Sequence, residues 1–178
     1  MKKKDPLGEV YLSAKQIQGR VKELGKMISA AYQGKNLVLL GILKGSFVFM
    51  ADLVRNIEIP HSLDFMAISS YEGVGGSPGA VKILKDLDES ITGKNVVIVE
   101  DIIDTGLTVG YLIRHLQARN PESIKICTLL DRSIRRIVPL PISFTGFDIP
   151  DVFVVGYGLD YRQLYRNLPS LHLCDIRV

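Results

Sequence analysis

Apolar positions follow two rhythms along this chain. Ile17, Val21, Leu24 and Ile28 recur at helical spacing, which gathers them on one helix face. Ser13 and Gln16 stand just ahead at capping-box spacing, and Gly34 is placed to close the segment. Residues 36–42 read Asn-Leu-Val-Leu-Leu-Gly-Ile, a short continuous apolar run. Such a run suits a strand covered on both faces, as in a parallel sheet. Leu43-Lys44-Gly45-Ser46 interrupts it, a helix is predicted over 47–55, and Pro60 ends the connection to a strand near 63–71.

Residues 72–80 hold four glycines and a proline, too many for regular structure. They read as a mobile loop, a lid by length and position, leading into a strand near 81–87. Thr92-Gly93-Lys94 makes a turn, and Val96-Val97-Ile98-Val99 is the best buried strand of the chain. A helix is predicted from about Gly106 to Arg119, stopped by Asn120-Pro121, and then a strand over 124–130. This alternation predicts an α/β fold, a central mostly parallel sheet flanked by helices. The expectation is a single domain over 1–178 with its core at about 13–138. The proline- and aromatic-richer residues 139–178, with the N-terminal residues, would form a small hood. Ligands of such sheets bind at the carboxyl ends of the strands, which points to residues 43–46, 100–108 and 131–136.

Composition narrows the partners. The chain has 178 residues, 47% apolar and 23% charged, the balance of an ordinary globular domain. Its 22 basic and 19 acidic residues leave +3, too mild for bulk nucleic-acid binding but compatible with a small anionic ligand. Cys127 and Cys174 lie far apart with no CxxC spacing, so neither a disulfide framework nor a zinc site is expected. The basic start, Met1-Lys2-Lys3-Lys4, lacks the apolar run of a signal peptide, and no run approaches the ~18 apolar residues of a membrane span. The expected setting is the cytoplasm, with no membrane partner.

The sharpest chemical signal spans residues 96–108. An apolar strand delivers Glu100 and Asp101, and Asp104, Thr105, Gly106 and Thr108 follow where a helix starts. Backbone N–H groups at a helix N-terminus suit a phosphate. Gly106 lets the backbone approach closely, and the Thr105 and Thr108 hydroxyls can donate to phosphate oxygens. The acids could hold ribose hydroxyls or a Mg²⁺ that partners a pyrophosphate. The competing reading makes Asp104 or Thr105 a mere helix cap, with Glu100 and Asp101 solvated. It leaves unexplained why mutually repelling acids crowd one buried strand end.

Val-Glu-Asp-Ile-Ile-Asp-Thr-Gly at 99–106 resembles the phosphoribosyl-pyrophosphate signature of the type I phosphoribosyltransferases, in the form found in hypoxanthine-guanine phosphoribosyltransferases. Leu43-Lys44-Gly45-Ser46 resembles that family's pyrophosphate loop, and Ser70-Tyr71 the start of its mobile catalytic loop. Residues 151–161, from Asp151-Val152-Phe153-Val154 to Leu159-Asp160-Tyr161, resemble its purine-binding tail, with Arg166 following at the family's spacing. The resemblance runs from about Leu12 onward and implies the type I phosphoribosyltransferase fold.

It also implies roles. Glu100 and Asp101 would hold the ribose hydroxyls and the metal's water shell, with Asp104 as general acid/base facing the purine N7. Asp104, Thr105, Gly106, Leu107 and Thr108 would cradle the 5′-phosphate. Lys44, Gly45 and Arg166 would take the pyrophosphate, and Asp160, beside the purine, would belong to a second Mg²⁺ site. Phe153 would stack on the purine and Val154 meet its edge. Read without the resemblance, the plain alternatives are Lys44 as an ordinary exposed lysine, against which Gly45-Ser46 opening a helix beside it favours an anion site, Phe153 as a core aromatic and Asp160–Arg166 as a surface ion pair. Arg132 stands where the family usually has a lysine that donates to the purine's 6-oxo group. Arginine is still a permanent donor, larger and planar. Arg135 and Arg136 read as a solvated basic face. The implied activity is Mg²⁺-dependent purine salvage: phosphoribosyl pyrophosphate and hypoxanthine or guanine give IMP or GMP and pyrophosphate, in a homodimer or homotetramer. Alternatives are an enzyme for another base, such as xanthine or adenine, or a nucleic-acid-binding regulator. The mild charge and the presence of Asp104 argue against the regulator.

Overall fold

The computed structural model describes residues 6–71 and 80–175. Most of the loop read at 72–80 therefore lies outside the described residues. The first helix forms as its sequence predicts. α1 (Ala14–Ala31) starts at Ser13, whose hydroxyl accepts from the Gln16 N–H at 3.4 Å while the Gln16 side-chain oxygen accepts from the Ser13 N–H at 3.0 Å. Two of the N–H groups a helix start leaves orphaned are thereby satisfied.

The central sheet has six strands. β2 (Leu37–Leu43), β5 (Asn95–Ile103), β6 (Ser123–Asp131) and β7 (Ile142–Asp148) run parallel with β3 (His61–Tyr71), while β4 (Ala80–Lys85) pairs antiparallel on the edge beside β3. The order is β4-β3-β2-β5-β6-β7. Alternate side chains of the middle strands serve two cores. Leu37, Leu39, Val97 and Val99 pack under α1 and α2 (Phe47–Val54). Leu40, Ile42, Val96 and Ile98 pack under α3 (Leu107–Gln117), through Val109, Leu112, Ile113 and Leu116. Burying each such side chain is worth roughly 1.5–3 kcal/mol, so the middle strands are pinned from both sides.

A second, three-stranded sheet joins the two ends of the chain. Its order is β1 (Leu7–Leu12), β9 (Leu171–Cys174), β8 (Val154–Val155), all antiparallel. Its strands come from the N-terminal residues and from the stretch 139–178 expected to form a hood. Ile142–Asp148 instead extends the main sheet, its Cys127–Phe144 and Leu130–Phe147 register tying it to β6. Prolines at 139 and 141 obscure that strand in the sequence, and an edge strand tolerates a proline at its margin. Cys127 and Cys174 are both buried thiols. Among the described residues no helix is long and apolar enough to cross a membrane.

Candidate active site

Parallel register places the ends of β2, β5 and β6 along one edge of the sheet, and the three segments singled out in the sequence all lie there. β5 carries the acids further than the apolar run suggests. Pairing with β6 continues through Glu100–Thr128 to Ile103–Asp131, so Glu100 and Asp101 belong to the strand itself. A crevice of about 260 Å³ opens beside them. Gly45, Glu100, Asp101, Asp104, Thr105, Gly106 and Thr108 line it, with Ile42, Leu43, Ile68, Ile102, Ile103 and Val109 as apolar walls.

The acids are held in a setting hostile to their charge. Glu100 is 7% exposed. Burial first, and then the neighbouring Asp101, push its carboxyl well above the ordinary range. Burial pushes Asp101 up to about 6, against backbone N–H donation from Ile102 and Asp101 itself and the attraction of Arg166, with Asp160 adding to the rise. A cation or a set of hydroxyl donors would favour the ionised forms. Among the described residues no three His, Cys, Asp or Glu side chains converge on one point. The donors present are carboxylates alone. That fits Mg²⁺, which takes one or two protein carboxylates and fills its shell with water and substrate phosphates.

Behind the acids the chain turns through Gly106 at φ +82° into α3. No side chain caps this helix start. Leu107 N–H makes a long 3.4 Å bond to Thr105 Oγ1, so the first-turn donors remain largely available for an anion. Leu107 itself is exposed. Asp104 is not the cap that the competing reading makes it. Its Oδ1 lies 2.8 Å from Arg132 Nη1. Arg132 is 5% exposed, and its other terminal nitrogen donates to the Val152 carbonyl. Its Nε has no hydrogen-bond partner and lies 4.0 Å from Asp151 Oδ1. Arg136 departs from the expected solvated face. It is largely buried and pairs with Asp131, a partner across a turn that charge counting does not reveal. Arg135 is half exposed, in keeping with the expectation.

On the other flank, the Leu43–Lys44 peptide is cis and leads to exposed Lys44 and half-buried Gly45. Arg166 donates to the Gly158 carbonyl at 2.7 Å and pairs with Asp160 at 2.5 Å. Asp160 also accepts from the Gln163 N–H at 2.7 Å, so it is tied to Arg166 rather than gathered with Glu100 and Asp101. Val154 is buried in β8, whereas Phe153 is 39% exposed and meets Tyr161 edge-on at 6.1 Å. Phe153 is thus not the core aromatic that its apolar neighbours suggest. Ser70 and Tyr71 end β3. His61, His115 and His172 line no part of the crevice. Sequence reasoning misses Val152 as the carbonyl acceptor of Arg132, and Gly158. For Gly158 a signal is present: the close glycine pair Gly156-Tyr157-Gly158 marks backbone that must come near something.

The family profile of the phosphoribosyl transferase domain matches residues 9–162. This chain belongs to the phosphoribosyltransferase family. The phosphoribosyltransferase is 53% identical over 163 residues to the hypoxanthine phosphoribosyltransferase of Salmonella typhimurium, covering 90% of this chain and 92% of that one. It is 48% identical over 168 residues to the hypoxanthine-guanine phosphoribosyltransferase of Bacillus subtilis, covering 94% and 93%. A crystal structure of a hypoxanthine phosphoribosyltransferase from Staphylococcus aureus superposes with a TM-score of 0.91 at 49% identity, over 96% of this chain and 92% of that one.

Proposed function

We propose that this phosphoribosyltransferase transfers ribose 5-phosphate from phosphoribosyl pyrophosphate to N9 of hypoxanthine or guanine. The observation that carries the reading is one crevice in which Glu100, Asp101, Asp104 and the uncapped start of α3 lie together, with Arg132 paired to Asp104. The names of the relatives support the choice of base. The 5′-phosphate sits at residues 104–108, on the Thr105 and Thr108 hydroxyls and the helix N–H groups. Glu100 and Asp101 hold the ribose hydroxyls and, with bound water, Mg²⁺. Lys44, the Gly45 backbone and Arg166 face the pyrophosphate. Phe153 offers its exposed ring to the purine face, with Val154 at the edge and Asp160 beside it.

In the reaction the C1′–oxygen bond to pyrophosphate breaks as the N9–C1′ bond forms. When bound, Mg²⁺ neutralises charge on the leaving pyrophosphate. Asp104 takes the proton that the purine loses, and Arg132 faces the 6-oxo group. A cation donates to an oxo oxygen and has nothing to accept from an amino group, which favours 6-oxopurines over adenine. The carboxylates compensate positive charge growing on the ribose ring, a preorganised electrostatic contribution. The resemblance further implies a homodimer or homotetramer working in the cytoplasm. The test is pyrophosphate release with hypoxanthine, guanine, xanthine, adenine and uracil in parallel, with and without Mg²⁺. Turnover confined to 6-oxopurines and dependent on Mg²⁺ is expected. Turnover of adenine or uracil alone overturns the reading.

A further inference from the structure

The 156–158 turn of the hood reaches the pyrophosphate side of the crevice, and its own side chain fastens it to α2. Gly156, Tyr157 and Gly158 are all left-handed, with φ of +105°, +48° and +101°. Tyr157 is an unfavourable residue for such a backbone, yet its ring is buried. Its hydroxyl donates to Asp52 Oδ2 on α2 at 2.6 Å, across 105 residues of chain. Asp52 also pairs with Arg55, one helical turn on and largely exposed.

The next residue packs against the crevice lining. A Cβ on Gly158 would fall 2.1 Å from the Gly45 carbonyl oxygen, and a Cβ on Gly45 would fall 1.7 Å from Asp101 Oδ2. Asp52, Tyr157, Gly158, Gly45 and Asp101 therefore form a column without slack, running from α2 into the crevice. Arg166 is joined to the same column through its bond to the Gly158 carbonyl.

We propose that Tyr157 and Asp52 are a positioning pair, whose hydrogen bond seats the 156–158 turn on the Gly45 peptide and so fixes the backbone that receives the pyrophosphate. The proposal rests on the reading of this crevice as a phosphoribosyl-pyrophosphate site. Neither residue lines the crevice. α2 begins directly after the Lys44–Gly45 loop, so fastening the hood to α2 holds that loop from above and from behind. Losing the phenol hydroxyl leaves the turn's backbone bonds, Tyr157 N–H to Leu168 O and Gly158 N–H to Arg166 O, but frees Gly158 to shift against Gly45.

The test is steady-state kinetics of Tyr157→Phe, Asp52→Asn, Asp52→Ala and the double variant that combines Tyr157→Phe with Asp52→Ala, varying phosphoribosyl pyrophosphate and hypoxanthine separately. Tyr157→Phe and Asp52→Ala should each raise KM for phosphoribosyl pyrophosphate by about threefold to tenfold, the scale of one hydrogen bond, with KM for hypoxanthine held within about twofold. Asp52→Asn keeps an oxygen that accepts from the phenol and should stay near the wild type. The double variant should be no worse than either single one. A lower melting temperature with unchanged KM for phosphoribosyl pyrophosphate overturns the proposal, and so does Asp52→Asn behaving like Asp52→Ala. Wild-type protein inactive in the same assay refutes the reading of the crevice. Active wild type with Tyr157→Phe unchanged refutes the positioning pair alone.

Discussion

Gly45 and Asp101 are packed so closely that the glycine has no room for a side chain: a Cβ there would lie 1.7 Å from Oδ2 of the carboxylate. Gly45→Ala must push either the Lys44–Gly45 loop or the acid out of place. A displacement of that size near reacting groups costs about 10²-fold or more in rate. The expected outcome is a variant with a native circular dichroism spectrum and turnover reduced by at least about 10²-fold in a pyrophosphate-release assay.

Asp104→Asn removes the proposed proton acceptor and leaves the helix start behind it intact. Purine addition should slow by about 10²–10⁴-fold, the usual general acid–base range. Binding of phosphoribosyl pyrophosphate, followed by calorimetry, should change little. Turnover near the wild-type rate would remove Asp104 from the chemistry.

Arg132 reaches Asp104 and the Val152 carbonyl at once because its guanidinium is a planar fork. A lysine has a single ammonium and cannot hold both in the same geometry. Arg132→Lys should change the ratio of kcat/KM for guanine to that for hypoxanthine by about threefold to tenfold. Identical ratios across all 6-oxopurines would place Arg132 outside the base pocket.

Asp101 gives the site a pH dependence of known sign. Burial raises its folded pKa to about 6, so between the ordinary carboxylate range and that value the folded chain keeps a proton the unfolded chain has released. Stability therefore declines as pH rises through this window and levels off above it. Asp101→Asn has no charge to desolvate. It should flatten the decline and melt higher at neutral pH, by on the order of 1 kcal/mol or about 2–4 °C. Ligand affinity should run the other way, because the ionised acid is the proposed binding form. KM for phosphoribosyl pyrophosphate with Mg²⁺ should rise as pH falls below about 6. A pH-independent KM across that range would contradict the role given to Asp101.

Much of the fold and site is legible where local chemistry decides local structure. The Ser13–Gln16 capping box and the four apolar residues at 96–99 announce α1 and the middle of β5, and the topology then places three polar segments on one sheet edge. What escapes depends on partners remote in sequence. Glu100–Ile103 looks like loop because its side chains are mixed, but the backbone of β6 pairs with it regardless of side chain. Ile142–Asp148 looks like hood because of its flanking prolines, until β6 offers it an edge. Arg136 reads as solvated because nothing near it in sequence reveals Asp131 across the turn. The Tyr157–Asp52 bond is invisible for the same reason.

The middle strand of the hood has a consequence for synthesis. Leu171–Cys174 lies between β1 and β8 and is the partner of both. Emerging from the ribosome, the chain completes the six-stranded sheet and its acids well before that strand appears. β1 precedes the central sheet in the chain and its partner β9 follows it, so β1 must wait for β9 to be made. A chain cut short inside β9 would keep the acid floor while β1 and β8 lost their shared partner, and the product expected from the proposed site is one that holds a sugar phosphate with no ordered seat for a purine.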